Sequence, residues 1–143
     1  MIERINKEWE ITSTYIFNVI SKKGVINLAW NDFCYMAREH KPITLVSVSD
    51  NQSLSNIVKA GLQELINDAT LKITGIIVAI ETAKGTELMM KEMQEVSACF
   101  TDMFNEMVNV IWGLQENEKL PMNDRSIMIF TFGEYQENES LGQ

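Results

Sequence analysis

The chain of 143 residues has one histidine, two cysteines, two prolines and three arginines. Each scarcity removes a class of function. Cys34 and Cys99 cannot build a disulfide framework and lack C-x-x-C spacing, so a zinc site is not expected and reduced thiols of a cytoplasmic protein are. His40, beside Glu39 and just before Lys41-Pro42, has no cysteine or second histidine near it in sequence and reads as a surface residue at a helix end. Arg4, Arg38 and Arg125 would supply a phosphate or dicarboxylate site thinly. The seven glycines are spread singly, and no G-x-x-x-x-G-K-[ST], G-x-S-x-G or H-E-x-x-H occurs. Basic residues are outnumbered 12 to 20, giving a formal charge of −8, which argues against nucleic acid and anionic membrane surfaces as partners. The most apolar stretch, Ile73 to Ile80, is too short to span a bilayer, and Met1-Ile-Glu-Arg lacks an apolar signal core. No cofactor and no metal are expected.

What remains is a single α+β domain's worth of patterned chain. Ile5, Trp9, Thr12, Ile16 and Val19 lie at helical steps, and Lys22-Lys23-Gly24 is placed to end that helix with cations and a glycine free to take positive φ. A loop over Val25 to Asn31 leads to Asp32, read as the N-cap of a short helix reaching about Glu39 before Lys41-Pro42 breaks it. Strands are expected over 43–48, 73–80, 108–114 and 126–132. Between them, Leu54, Ile57, Val58, Leu62, Leu65, Ile66 and Ala69 form the apolar face of one helix, with Gly61 permitting close approach to a sheet. A second helix, opened by Thr86, carries Met89, Met93, Val96, Phe100, Met103 and Met107. That methionine-rich stripe reads as core rather than as an adaptable binding groove. The order is helix-loop-helix, then β-α-β-α-β-β. It predicts a four-stranded mixed sheet with two helices on one face.

Helices on one face leave a surplus. On the last strand Ile127 and Ile129 point one way and Met128, Phe130 and Phe132 the other. With Trp9 and Trp30 added, this apolar surface suggests an interface, and self-association is the preferred account over coverage by the N-terminal helix.

Gly24-Val25-Ile26-Asn27-Leu28-Ala29-Trp30-Asn31-Asp32-Phe33 resembles the loop after the long central helix of FtsZ, the bacterial tubulin-like division GTPase, where the pattern is roughly G-[LIV]-[IVM]-N-[LV]-D-F-A-D-[VIL]. Ile73 to Ile80, Asn109-Val110-Ile111-Trp112-Gly113 and Ile127 to Gly133 resemble later strands of that family in the same order, so the likeness runs over about residues 5–133. It covers the C-terminal half of the family only; the N-terminal GTPase domain with its phosphate loop has no counterpart. The resemblance implies an FtsZ/tubulin C-terminal-domain-like fold. Residues 1–23 would be a helix resembling the central helix, 24–136 the α+β domain and 137–143 an acidic flexible tail.

In the family the loop enters the nucleotide site of the next subunit, where two aspartates position the attacking water. The second corresponds to Asp32, while the first falls on Ala29, whose methyl group cannot polarise water. About ten residues follow the last strand, which puts the docking functions of the family's long partner-binding tail in doubt. A further reading is a piece of a longer protein whose GTPase domain was left out, against which the natural-looking Met1 argues mildly. The resemblance therefore implies a cytoplasmic, non-enzymatic cell-division module of bacterial type. It would act by self-association or by docking on a tubulin-like filament subunit through loop 24–32, with Trp9, Asn27, Leu28, Trp30 and Asp32 as interaction residues. Asp32 is the weak catalytic candidate of the alternative, a partial GTPase-activating surface supplied in trans. The fold also resembles trimeric chorismate mutases, whose intersubunit clefts bind a dianion and want arginines that this chain supplies poorly.

Overall fold

The computed structural model describes residues 2–5, 16–22, 24–86, 88, 90–104 and 108–136. In chain order the elements are β1 (Ile2–Ile5), β2 (Gly24–Ile26), α1 (Trp30–Glu39), β3 (Lys41–Asp50), α2 (Leu54–Ile66), β4 (Leu71–Ala83), α3 (Met90–Met103), β5 (Asn109–Asn117) and β6 (Arg125–Tyr135). The strands form one sheet in the order β1-β3-β6-β4-β5-β2. Only β4 and β5 run parallel, and α3 supplies the crossover such a pair needs.

The four expected strands are the middle four of this sheet, and two short edge strands extend it. Residues 2–5 are therefore not the start of a helix. They pair antiparallel with β3, from Ile2 opposite Val48 to Ile5 opposite Leu45, satisfying backbone groups that β3 would otherwise expose. Arg4 ties β1 to the end of α2, through the Asp68 carboxylate and the Glu64 carbonyl. Gly24 is likewise not a left-handed helix stop. It is extended in β2, opposite Gln115. The middle strands outrun their apolar blocks because ladder bonding continues through polar residues such as Glu81 and Thr82.

Each middle strand feeds two cores by simple alternation. On one face, Val46, Val48, Ile76, Val78, Ile80, Ile127 and Ile129 pack under α2 and α3. Gly61 permits the close approach foreseen for it, since a Cβ there would lie 2.9 Å from Ile129 Cδ1. From α3, Val96 and Phe100 are buried and Met93 packs against the same core, so this part of the methionine stripe is core. Met89, Met107 and the Met103 side chain lie outside the described residues. Two residues of the α2 face differ from expectation. Ile66 is exposed on the last turn, and Ala69 falls beyond the helix end.

The other face carries Leu45, Ile77, Ala79, Met128, Phe130 and Phe132, and it is not left open. Ile16 and Val19 from the helical residues 16–20, together with Leu28, Phe33 and Met36, cover it. Phe33 meets Phe130 edge-on at 5.1 Å between ring centres. A second copy of the chain is thus not needed to cover this face. Burying each of these large side chains contributes about 1.5–3 kcal/mol relative to leaving it in water, and here the chain's own residues do so.

Two sheet glycines make the fit possible. A Cβ at Gly75 would stand 2.2 Å from Met36 Sδ, and one at Gly113 would stand 2.4 Å from Leu28 Cγ. Single glycines inside strands mark sites where another element comes close. Here they are the sockets that seat α1 and the loop before it.

Candidate functional site

The loop of residues 24–32 begins as an edge strand and ends as a helix start. Ile26 pairs with Leu114 of β5, Leu28 drops into the core over Gly113 at 4% exposure, and α1 begins at Trp30. With Leu28 anchored, Ile26, Ala29, Trp30 and Asn31 are left exposed around it. Asn27 is exposed. Trp30, 43% exposed, stacks on Phe17, 61% exposed, with ring centres 5.2 Å apart and planes inclined by 19°. Ile26 is exposed beside them in sequence. Large apolar side chains left in water and held in fixed geometry are the usual anchors of a protein interface.

Asp32 is not the N-cap. That position is Ala29, and Asp32 stands at the third helical residue. Its carboxylate Oδ2 accepts the Ala29 N–H at 2.8 Å, and its own N–H donates to the Ala29 carbonyl at 3.0 Å. This is half of a capping box: the acid reaches back because the alanine has no side-chain acceptor of its own. A carboxylate beside a helix N-terminus is also favoured by the helix dipole.

Of the interaction residues expected from sequence, the structure brings Asn27, Trp30 and Asp32 together at the surface. Leu28 is in the core instead, because the glycine socket beneath it accepts an isobutyl group. Trp9 lies outside the described residues. Phe17 was missed; its signal was an aromatic residue directly beside the buried stripe position Ile16.

Glu81 was missed as well. It is the first charged residue after the apolar run of β4, and its side chain is 3% exposed. Lys22 Nζ donates to its Oε2 at 2.5 Å, Gln115 Nε2 to the same oxygen at 2.6 Å, and Asn117 Nδ2 to Oε1 at 2.9 Å. Lys22, expected only to cap a helix dipole, thus clamps the end of the helical segment onto the sheet. Gln115 is the register partner of both Glu81 and Gly24, so the clamp adjoins the start of the loop. A buried carboxylate with three donors is satisfied, and its work is to hold position.

Elsewhere, Arg125 grips Glu92 with Nε and Nη2, each at 3.2 Å. Burial pushes the Cys99 thiol above its ordinary pKa, which keeps it protonated and poorly nucleophilic. Hydrogen bonds from the Thr70 side chain, more than the Arg4 charge, hold the Asp68 carboxyl below its ordinary value. Among the described residues no group of three or more His, Cys, Asp or Glu is gathered as a metal would require, and no helix is long and apolar enough to cross a membrane.

No family model matches the chain. It is 25% identical over 118 residues to Cell division protein FtsZ 1 of Thermococcus kodakarensis, a match covering 81% of this chain and 31% of that protein. The similarity is to FtsZ. Cell division protein FtsZ 1 of Pyrococcus woesei is 23% identical over 117 residues, with 81% and 32% covered. Among solved structures, an empty FtsZ dimer from M. jannaschii superposes with a TM-score of 0.63 at 19% identity, covering 82% of this chain and 34% of that one. A mutant FtsZ from the same organism gives 0.65 at 17% identity, covering 86% and 37%. The α+β fold is therefore that seen in FtsZ, and the chain spans about a third of the length of the curated FtsZ relatives it matches.

Proposed function

We propose that the chain is a non-enzymatic, FtsZ-like interaction module that works in the cytoplasm by docking on a tubulin-like filament subunit through loop 24–32. The observation that carries this reading is the exposed stack of Trp30 on Phe17 of the helical residues 16–20, beside a Leu28 locked into the core. A flexible loop would lose entropy on binding, whereas this one is already shaped. Ala29 stands where the FtsZ resemblance places the first of two acids, and Asp32 Oδ2 is engaged by the Ala29 N–H. Both features favour docking over GTPase activation in trans. Docking onto another copy of this chain through the same stack is the variant of this reading that retains self-association.

The test is co-sedimentation with a full-length FtsZ polymerised by GTP. The wild-type chain is expected in the pellet, and Trp30→Asp to bind about 30-fold more weakly, as loss of a central aromatic anchor costs about 2 kcal/mol. Equal pelleting of the two proteins would refute the docking surface. Stimulated GTP hydrolysis that disappears in Asp32→Asn would replace this reading with the activating one.

A further inference from the structure

The two rings of the exposed stack come from separate pieces of chain. Phe17 belongs to the helical residues 16–20 and Trp30 to the first turn of α1. At 61% and 43% exposure neither ring is held by burial. Their spacing of 5.2 Å therefore depends on how the backbone beneath each one is fixed.

Both fixings lead to Glu81. On the Phe17 side, the Ser21 N–H donates to the Phe17 carbonyl at 3.1 Å and the Lys22 N–H to the Val19 carbonyl at 3.3 Å, so Lys22 continues the same helical turn. Its ammonium reaches Glu81 Oε2 at 2.5 Å. On the Trp30 side, Asn27 to Ala29 join β2 to α1, and β2 opens with Gly24 opposite Gln115. Gln115 Nε2 donates to that same Oε2 at 2.6 Å. One carboxylate oxygen is thus the meeting point of the segment that carries Phe17 and the strand pair that leads to Trp30. Asn117 Nδ2 holds the other oxygen at 2.9 Å.

Core packing does not do this alone. Ile16 and Val19 bury the inner side of the helical segment, but its last turn borders a cavity of about 480 Å³. The described residues that line it, Asn18, Ser21 and Lys22 on one side and residues 116–119 on the other, are all polar. At this end the ion pair, rather than apolar contact, sets how the segment lies on the sheet. Packing does not require a charge there either. Ala79, two residues earlier on the same face, is fully buried among apolar neighbours, and a well-packed apolar side chain is often no less stable than a buried ion pair. What the carboxylate adds is position: it accepts only from donors standing at hydrogen-bond distance, whereas apolar surfaces can slide.

We propose that Glu81 is a positioning residue of the docking surface, setting the spacing and tilt of the Phe17–Trp30 pair through Lys22 on one side and Gln115 on the other. At 2% exposure it acts only through these neighbours and does not itself meet a partner. This inference rests on the function proposed for loop 24–32, and its first readout below does not.

The test uses the full chain and Lys22→Met, which removes the charge from a side chain 20% exposed and leaves Gln115 and Asn117 on Glu81. Glu81→Gln, near in shape, removes the charge from the other side. Both are studied at a temperature where urea curves show them folded. The first readout is the ring signature: the NOEs between the Phe17 and Trp30 side chains and the upfield shifts that stacking gives their protons. The second is co-sedimentation with a full-length FtsZ polymerised by GTP. Each variant is expected to lose the ring signature and to bind about five-fold more weakly, in the range of residues that act through others. Lys22→Arg, which restores the charge, is expected to recover both. In a Phe17→Ala background Lys22→Met is expected to leave binding unchanged, because the ring it positions is gone. Leu62→Ala, which destabilises the chain from the opposite core, is expected to keep the signature and the affinity. A signature intact in Lys22→Met and Glu81→Gln, or lost equally in Leu62→Ala, would overturn the assignment, as would full additivity of Phe17→Ala and Lys22→Met in binding. If the signature behaves as expected but the wild-type chain never pellets, the docking reading falls and the positioning of the rings stands.

Discussion

The seat of Leu28 over Gly113 can be tested by a double-mutant cycle. Leu28 is almost fully buried, so Leu28→Ala removes most of its contacts and leaves a cavity beneath the loop, at about 3 kcal/mol. Gly113→Ala puts a methyl group within 2.4 Å of Leu28 Cγ. Overpacking of that kind costs about 2 kcal/mol, offset by about 0.5 kcal/mol because alanine suits a strand better than glycine. Gly113 is not among the glycines at positive φ, so the backbone itself accepts alanine. Independent effects would give the double variant a loss of about 4.5 kcal/mol. If the two side chains compete for one volume, the new methyl group fills part of the space Leu28 vacates. The double variant then loses only about 2.5–3 kcal/mol, a favourable coupling of at least about 1.5 kcal/mol. Urea unfolding with an unchanged slope measures all four proteins. Additivity within about 0.5 kcal/mol would refute the socket, and with it the reason given for the loop's fixed shape.

The Glu81 clamp predicts that Glu81→Ala destabilises by about 3–5 kcal/mol, because it strands Lys22 and the buried Gln115 donor, while an exposed-acid control such as Glu118→Ala stays within about 0.5 kcal/mol. Thermal melts of the pair decide this. Asp68 has a lowered folded pKa, so its contribution to stability is fully present above its ordinary value of 3.8 and is lost as pH falls through the folded value. Between pH about 4 and 2, wild type should therefore lose its margin over Thr70→Ala, read from urea midpoints; a margin constant over that window would contradict the assignment. For the thiols, Cys34 is expected to react with a maleimide in the native state while Cys99 reacts only on unfolding, with mass spectrometry of the two peptides as the readout.

The middle of the sheet was legible in the sequence because alternation and β-branched runs act locally. The faces of α2 and α3 were legible because helical spacing does. What escaped depends on partners distant in sequence. Ile2-Glu3-Arg4-Ile5 is a strand only because β3 offers an edge, and no local pattern reveals that. Leu28, a lone apolar residue in a loop, has no period to assign it inward; the signal lay in Gly113, far along the chain. The stripe position Ile16 was seen, but not that it closes over Phe130 and Phe132. In loop 24–32 Trp30 stood out as a large aromatic residue in a loop, whereas its companion Phe17 needed the third dimension. Glu81 was hidden among twenty acids until Lys22, Gln115 and Asn117 converged on it.

A sheet with apolar cores on both sides is locked against sliding in a way that a one-sided sheet is not. Ile76, Val78 and Ile80 serve one core and Ile77 and Ala79 the other. A slip of β4 by one residue would exchange the two sets, pressing each against neighbours shaped for the other. Both cores would then fail together, so an insertion within residues 76–80 has no harmless place to go. The sheet admits its extra residues on β3 and β4 only at Pro42–Thr44 and Ile73–Gly75, at the margin of the doubly packed region. Tolerance to added length should therefore be concentrated at that margin and vanish a few residues further along the same strands.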